Sequence, residues 1–457
     1  MSLPTTIRLP PGRPAGHLAA FGNWMATNPR AIRKVQWACL ALYLVLLVLP
    51  AVIPEGSASH ERMVLLAHFV VWGLWWPGVM LSVMLMGRVW CGVFCPEGAL
   101  TELASRRGLN RYIPRWLRWG GWPVAGFMLT TLYGQLIGMT EVPQAALLIL
   151  GSSTAAALLT GWLYGKNKRV WCRYLCPVSG VFGLLARLSP LCVRVDPAAW
   201  RQYPQRTPAV NCPTLLNVRQ LDSMAECHAC GRCSGHRDAV RLAGRWPGSE
   251  IVNSRSNAVP RTSEIVLLLF GLIGMATAAL QWRISPNFTT YRQGIANWLS
   301  AQGIVLPIES NAPWWLLAPQ HGLRPALTWL DGASMVSFVA LGTLLLGGSC
   351  YLLVRGAARL ATIDWRRLAL TLTPMAGVGL VLGLTVPDAN VAGAVGSVVS
   401  GSAWWVGGLL AMGMACSLGL VLRMLALDCS GWARGAGAFA LMGCACFLIP
   451  AVWVWRL

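Results

Sequence analysis

The sequence predicts an all-α polytopic membrane protein of about nine transmembrane helices, and three observations carry that prediction. Of 457 residues, 55% are hydrophobic and only 12% are charged, about half the charge usual in soluble domains. Mean hydropathy is +0.54. The apolar residues gather into continuous runs long enough to cross a hydrocarbon core of about 30 Å, which takes roughly 20 helical residues. A soluble enzyme is excluded, because so few charges do not cover a soluble surface of this size. A membrane β-barrel is excluded because the runs are continuous and not alternating.

Taken in order, the runs near 37–55, 63–87, 119–138, 144–165, 263–282, 334–354, 368–387, 402–423 and 435–455 read as helices, since a backbone in lipid must satisfy its polar groups internally. Residues 1–36 carry Arg8, Arg13, Arg30, Arg33 and Lys34 without an apolar core, so they read as a cytoplasmic segment and not as a cleavable signal. With the N-terminus inside, 32 of the 37 Lys and Arg fall in cytoplasmic segments, and only Arg62, Arg283, Arg292, Arg324 and Arg456 fall outside. Basic residues near span ends set orientation, so the N-terminus is in and the C-terminus out. The same bias accounts for the net charge of +21 without invoking nucleic acid. Trp75-Trp76, Trp314-Trp315 and Trp404-Trp405 fit interfacial anchors.

The resulting plan has a cytoplasmic segment 1–36, a four-helix membrane module 37–189, a cytoplasmic ferredoxin-like segment 190–262 and a five-helix module 263–457. The stretch 283–333 within the last reads as a folded periplasmic cap, because Pro286, Pro307, Pro313, Pro319 and Pro325 interrupt any long helix.

The chemistry lies in the cysteines. There are 15, and the clustered ones sit in segments assigned to the cytoplasm, where disulfides are a poor reading. Arg88-Val89-Trp90-Cys91-Gly92-Val93-Phe94-Cys95-Pro96 recurs as Arg169-Val170-Trp171-Cys172-Arg173-Tyr174-Leu175-Cys176-Pro177. Each copy closes a pair of spans at its cytoplasmic end, so the first four helices read as two parallel repeats about an axis along the membrane normal. That symmetry brings Cys91, Cys95, Cys172 and Cys176 together as four thiolates for one [4Fe–4S] cluster. Downstream, Cys227, Cys230 and Cys233 form a CxxCxxC run, the opening of a bacterial ferredoxin motif. Its following Cys-Pro is missing, and Cys212-Pro213, or else Cys192, supplies the fourth ligand of a second [4Fe–4S] cluster. A mixed arrangement, in which one cysteine of a motif serves the other cluster, also satisfies the count. Zinc accepts four cysteines too, but CxxxCP at the ends of membrane helices and a CxxCxxC triangle suit a cubane better.

On these residues the chain resembles the membrane-bound polyferredoxins: the NapH-type proteins, the NosR electron-donating module, the CcoG-type factors and the FtrD-type membrane ferredoxin of ferrous-iron uptake. The resemblance covers about residues 60–245. The chain departs from the pattern in having one CxxCxxC without its Cys-Pro. No stretch of it matches the periplasmic domains of the NosR and CcoG types, which leaves the FtrD type as the most similar. The resemblance implies a multi-pass protein of the bacterial inner membrane. Its partners would be a periplasmic cupredoxin or iron-binding protein and a membrane permease or reductase subunit, with no nucleic acid.

The second half offers weaker signals. Asp331-Gly332-Ala333-Ser334 faintly resembles a site of covalent FMN attachment at Ser334, although Gly-Ala-Ser runs are common in helices. Met412 with Cys416 and Met442 with Cys446 suit Cu(I) by ligand type, but read first as packing residues. His60, His68 and His321 do not make a buried haem pair. A quinone needs no conspicuous motif. The functional expectation is an electron-transfer subunit, not a stand-alone enzyme, that passes electrons between the cytoplasmic side or quinone pool and a periplasmic redox partner. The alternatives are a quinol-oxidising donor to a periplasmic reductase and a metal-reducing cofactor-assembly factor.

The orientation is testable. A reporter inserted near Ser254 is expected to behave as cytoplasmic and one fused after Leu457 as periplasmic; both on one side would mean a miscounted span in the second half.

Overall fold

The computed structural model describes residues 16–54, 57–205, 207–253, 260–320, 325–389, 403–429 and 431–455. Arg8, Arg13, Ser254, His321, Arg324, Arg456 and Leu457, which enter the sequence reading, lie outside them. The fold is helical, with one two-stranded sheet among the described residues, as an all-α polytopic membrane protein requires. Among the described residues, eight helices are long and apolar enough to cross a bilayer: Pro29–Val52, Ala58–Met86, Pro143–Tyr164, Thr262–Ile284, Trp329–Ala361, Trp365–Thr385, Trp404–Asp428 and Trp432–Trp453.

The ninth expected span, 119–138, contains only the 15-residue helix Trp122–Leu136, about 22 Å at 1.5 Å per residue. Turns continue it to Glu141. The chain path still requires a crossing there. Leu109 and Arg111 N–H donate to the carbonyls of Trp162 and Leu163, so residues just past the first CxxxCP lie against the C-terminal end of Pro143–Tyr164. That helix has 22 residues, or about 33 Å. The intervening chain must therefore first travel out to its far end.

Two compact units emerge. The first comprises residues 1–45, 81–123 and 153–250, the second 46–80, 124–152 and 251–457. In the first unit the helix Pro96–Arg106 packs against the end of Pro143–Tyr164, so closely that a Cβ on Gly161 would stand 2.4 Å from the Thr101 carbonyl oxygen. Only glycine permits that approach. Strands Leu191–Val195 and Val240–Gly244 pair antiparallel, with Cys192 opposite Ala243 and Arg194 opposite Arg241. They bracket the loops that carry the remaining cysteines. Asp196 then caps the helix Pro197–Gln202 by accepting from Ala198 and Ala199 N–H.

In the second unit Thr262–Ile284 and Trp365–Thr385 are the central helices, with 72% and 89% of their apolar windows buried. The segment expected as a cap holds a 16-residue helix, Pro286–Ala301. Pro286 opens this helix instead of interrupting it, because at the first position its missing N–H removes no bond, and Ser285 caps it by accepting from Phe288 N–H. Asp331, first of the Asp-Gly-Ala-Ser run, closes a capping box with Thr328 and pairs with Arg292. Ser334 is buried behind it at 1% exposure. Met442, Cys446 and Cys350 are buried, whereas Met412, Cys416 and Cys444 face outwards. Replacing Thr328 with alanine should lower stability by about 1 kcal/mol, the usual worth of a capping hydroxyl, measured by thermal unfolding in detergent.

Candidate metal centre

Both copies of the duplicated motif end their helices the same way. Cys95 N–H donates to the Trp90 carbonyl at 2.9 Å and Cys176 N–H to the Trp171 carbonyl at 3.0 Å. Each bond spans five residues, a widened turn of the kind found at functional sites. Pro96 and Pro177 have no N–H to continue the ladder. The two turns therefore present their cysteine pairs in the same local frame.

The four thiols form one group. Cys91 and Cys172 are buried, and Cys95 and Cys176 half-buried. Burial pushes the Cys172 thiol up to about 12. It also raises Cys95, on which Cys172 and Cys91 act next, and Cys176, on which Glu97, Cys172, Cys95 and Cys91 all act. Left to themselves Cys95, Cys172 and Cys176 stay protonated; ligation to a cationic centre is what would ionise them. Glu97 sits beside them, its carboxylate accepting from Ser153 Oγ at 2.6 Å and Trp171 Nε1 at 3.0 Å.

Two buried arginines cross between the repeats. Arg169, with no exposed surface, donates from Nη1 to the Cys91 carbonyl at 2.6 Å and from Nε to Glu102 Oε2 at 2.9 Å. Its backbone N–H donates to the Pro213 carbonyl at 2.7 Å. Arg88 donates from Nη1 to the Ala225 carbonyl at 2.7 Å and from Nη2 to Ser179 Oγ at 3.2 Å. Ser179 in turn donates to the Cys172 carbonyl at 3.1 Å. The arginine of each copy thus fixes the first cysteine of the other. Burial opposes ionisation of Glu102, yet Arg169 and Arg232 outweigh it and hold the carboxyl below its ordinary range. Arg232 closes on Glu102 Oε1 at 2.5 Å.

Cys212, Cys227, Cys230 and Cys233 line one cavity of about 30 Å³. Burial raises Cys227 to about 12, partly offset by Ala229 N–H donating to its sulfur at 3.4 Å. Cys233 is also raised, by burial and then by Cys227, Cys230 and Cys212. Ala229 and Gly231, at φ of 45° and 74°, make the tight reversals between the cysteines. Cys192 is not among the lining residues; it lies in a strand with its thiol towards the Ala243 carbonyl. Of the two candidate fourth ligands, the structure brings Cys212 to the other three.

The two thiol sets meet backbone to backbone. A Cβ on Gly92 would stand 2.2 Å from the His228 carbonyl oxygen and 3.0 Å from Cys230 N. His228 is 3% exposed, and its Nδ1 has no partner among the described residues. Burial, then Arg88, Arg169 and Arg173, hold its imidazole well below the ordinary range, hence neutral.

A single metal ion and a cluster ask different things of the same thiols. Among the described residues no three His, Cys, Asp or Glu converge closely enough to share one metal ion. Tetrahedral zinc gathers four sulfurs about 2.3 Å from one centre. A cubane gives each thiolate its own iron, so the sulfurs of an all-thiol set stand wider apart. Sequence reasoning did not find Glu102, Ser179 or Gly92. The one signal for Glu102 is the rarity of acidic residues, 16 Asp and Glu in the whole chain.

A 4Fe-4S binding domain matches the chain twice, at residues 69–119 and 147–194, one match per copy of the duplicated motif. Among curated proteins, YccM of Escherichia coli, a name assigned provisionally to electron transport, is 26% identical over 270 residues, 52% of this chain and 71% of that protein. Protein NirI of Paracoccus denitrificans is 28% identical over 189 residues, 35% of this chain and 26% of NirI. The methylamine utilization ferredoxin-type protein MauN of Methylorubrum extorquens is 28% identical over 153 residues, 31% of this chain and 50% of MauN. The matched region is thus less than two thirds of NirI and of MauN. No solved structure matches.

Arg169→Ala should destabilise the fold by about 3 kcal/mol, the lower end for breaking a buried ion pair, because Arg232 still faces Glu102. The depressed Glu102 carboxyl contributes stability that is present above its unfolded value of about 4.3 and is lost as pH falls through the lower folded value. The stability gap between the unaltered chain and Glu102→Gln, followed by thermal unfolding, should therefore be constant from pH 7 to 5 and close at more acid pH.

Proposed function

We propose that the chain is an electron carrier of the bacterial inner membrane that holds one [4Fe–4S] cluster at Cys91, Cys95, Cys172 and Cys176 and a second at Cys212, Cys227, Cys230 and Cys233. The observation that carries this reading is the contact of the two thiol sets at Gly92, which would bring two cofactors side by side. When bound, such a cluster stores one electron at a potential tuned by hydrogen bonds to its sulfurs, net charge and exposure to solvent. The chain's own residues supply that tuning. Gly98 N–H donates to Cys95 Sγ and Ala229 N–H to Cys227 Sγ, both at 3.4 Å. Arg88 and Arg169 place buried positive charge beside the ligands, which favours thiolate. Gly92 keeps the two loops close.

Electrons entering at this cytoplasmic end still face about 30 Å of hydrocarbon. A quinone in the second unit or a partner subunit would take them across, to a periplasmic redox or metal-binding protein. The resemblance to FtrD-type ferredoxins supports ferrous iron uptake as the setting, with a permease and a cupredoxin or iron-binding protein as partners. The ferredoxin-type designation of MauN supports electron transfer in the same coarse sense.

Anaerobic purification should give about eight irons and eight acid-labile sulfides per chain, four of each per cubane. Stoichiometric zinc with negligible sulfide would sink the proposal. Cys95→Ala and Cys176→Ala should each remove about four irons and the same EPR signal, leaving the other cluster in place. Loss of both clusters from either substitution would instead favour mixed ligation.

A further inference from the structure

The helix His17–Thr27, just before the first span, has two unlike faces. Gly22 and Met25 are buried. A Cβ on Gly22 would stand 2.9 Å from Ser234 Oγ and 3.1 Å from Leu242 Cβ, and one on Gly231 would stand 2.4 Å from Met25 Cβ. Gly22 and Met25 also line the cavity that holds Cys212, Cys227, Cys230 and Cys233. This face roofs the second thiol set. Its outer flank presents Phe21 and Trp24, 51% and 46% exposed, with their rings stacked 5.8 Å apart. The spacing of three makes these two rings one apolar stripe, and the helix carries no Asp, Glu, Lys or Arg.

The next element fixes what covers that stripe. A single residue, Asn28, separates the helix from the candidate span Pro29–Val52. Arg30, Arg33, Lys34 and Trp37 are exposed at the start of that span, and basic and aromatic residues at a span end sit at headgroup level. One residue advances the chain by no more than about 3.6 Å. The preceding helix therefore begins its course in the same layer.

We infer that His17–Thr27 is a membrane-seated lid. It lies in the headgroup layer of the leaflet that the first span enters, with Phe21 and Trp24 at the acyl boundary, as interfacial helices do. Its Gly22–Met25 face closes over Cys212, Cys227, Cys230 and Cys233. The lid half of the inference rests on the cluster proposed there; the membrane half does not. The bilayer surface thereby holds the roof in place, so the second cluster is shielded from water and oxygen only while the helix stays seated.

The full chain in nanodiscs of phosphatidylethanolamine and phosphatidylglycerol tests both halves. A benzophenone amino acid placed at Phe21 or Trp24 should cross-link to lipid on irradiation, as should one at Leu44, which is exposed within the span. One at Arg219, exposed in the cysteine-bearing segment, should not. Polypeptide adducts at Phe21 and Trp24, or no adduct where Leu44 reacts, would overturn the membrane seat. For the lid, the double variant Phe21→Asp/Trp24→Asp should lose the EPR signal of the second cluster in air several-fold faster than the unaltered chain. The first cluster, and both clusters of Phe21→Leu/Trp24→Leu, should keep their lifetimes. Equal second-cluster lifetimes in all three proteins would overturn the lid. If the double aspartate also loses the first cluster, the single Phe21→Gln variant takes its place under the same criterion. If the unaltered chain itself holds no second cluster, the lid falls with the cluster reading, and cross-linking alone decides the membrane seat.

Discussion

The rest of the first unit depends on two arginines that are buried before they are paired with any carboxylate of their own repeat. A guanidinium out of water is costly unless its donors are met, and here, apart from Arg88 Nε, which finds no partner among the described residues, they are met from outside each arginine's own copy. Arg169 reaches the carbonyl of Cys91; Arg88 reaches Ser179, which holds the carbonyl of Cys172. Neither copy can satisfy its arginine alone. The two halves of the duplication therefore fold as a pair, and the carbonyls they exchange belong to the first cysteine of each set. Tertiary stability and the position of the sulfurs are set by the same bonds.

Those bonds also dock the cysteine-bearing segment that follows. Arg88 donates to Ala225, two residues before Cys227; Arg169 N–H donates to Pro213, next to Cys212; Arg232, between Cys230 and Cys233, closes on Glu102. The second thiol set thus rests on residues that organise the first. Glu102 is the shared counter-charge, and its depressed carboxyl records the two arginines that face it. A substitution in this network would therefore reach both thiol sets.

What the sequence made legible follows from how local each signal is. Spans are local, because about 20 apolar residues must lie consecutively, and eight of nine appear at full length. The helix Trp122–Leu136 falls short because Gly138, at φ of 67°, turns the chain early. The doubled Arg-Val-Trp-Cys was visible as a repeat, and it marks the pair of widened turns found in the structure. The choice between Cys212 and Cys192 was not visible, since spacing alone does not say which of two upstream residues returns to a loop. The pairing of Leu191–Val195 with Val240–Gly244 settles where Cys192 goes, and five-residue strands so far apart in the chain leave no mark that a periodicity can catch. Glu102, Ser179 and Gly92 act through contacts made only in three dimensions, so no motif announces them.

The duplication has a further physical consequence. Helices in lipid are not driven together by the hydrophobic effect, because lipid tails are as apolar as their side chains. Association has to come from close packing and from polar bonds, and the first unit concentrates both at one end. Gly161 lets Pro96–Arg106 settle against Pro143–Tyr164, while Arg88, Arg169 and Glu102 tie the turns. A cofactor held by two cysteines from each copy would add its binding free energy to the same joint, since ligand binding to the folded state is folding free energy. The centre that moves electrons would then also be the clasp that keeps the repeats together, and cofactor loss and helix separation would be one event.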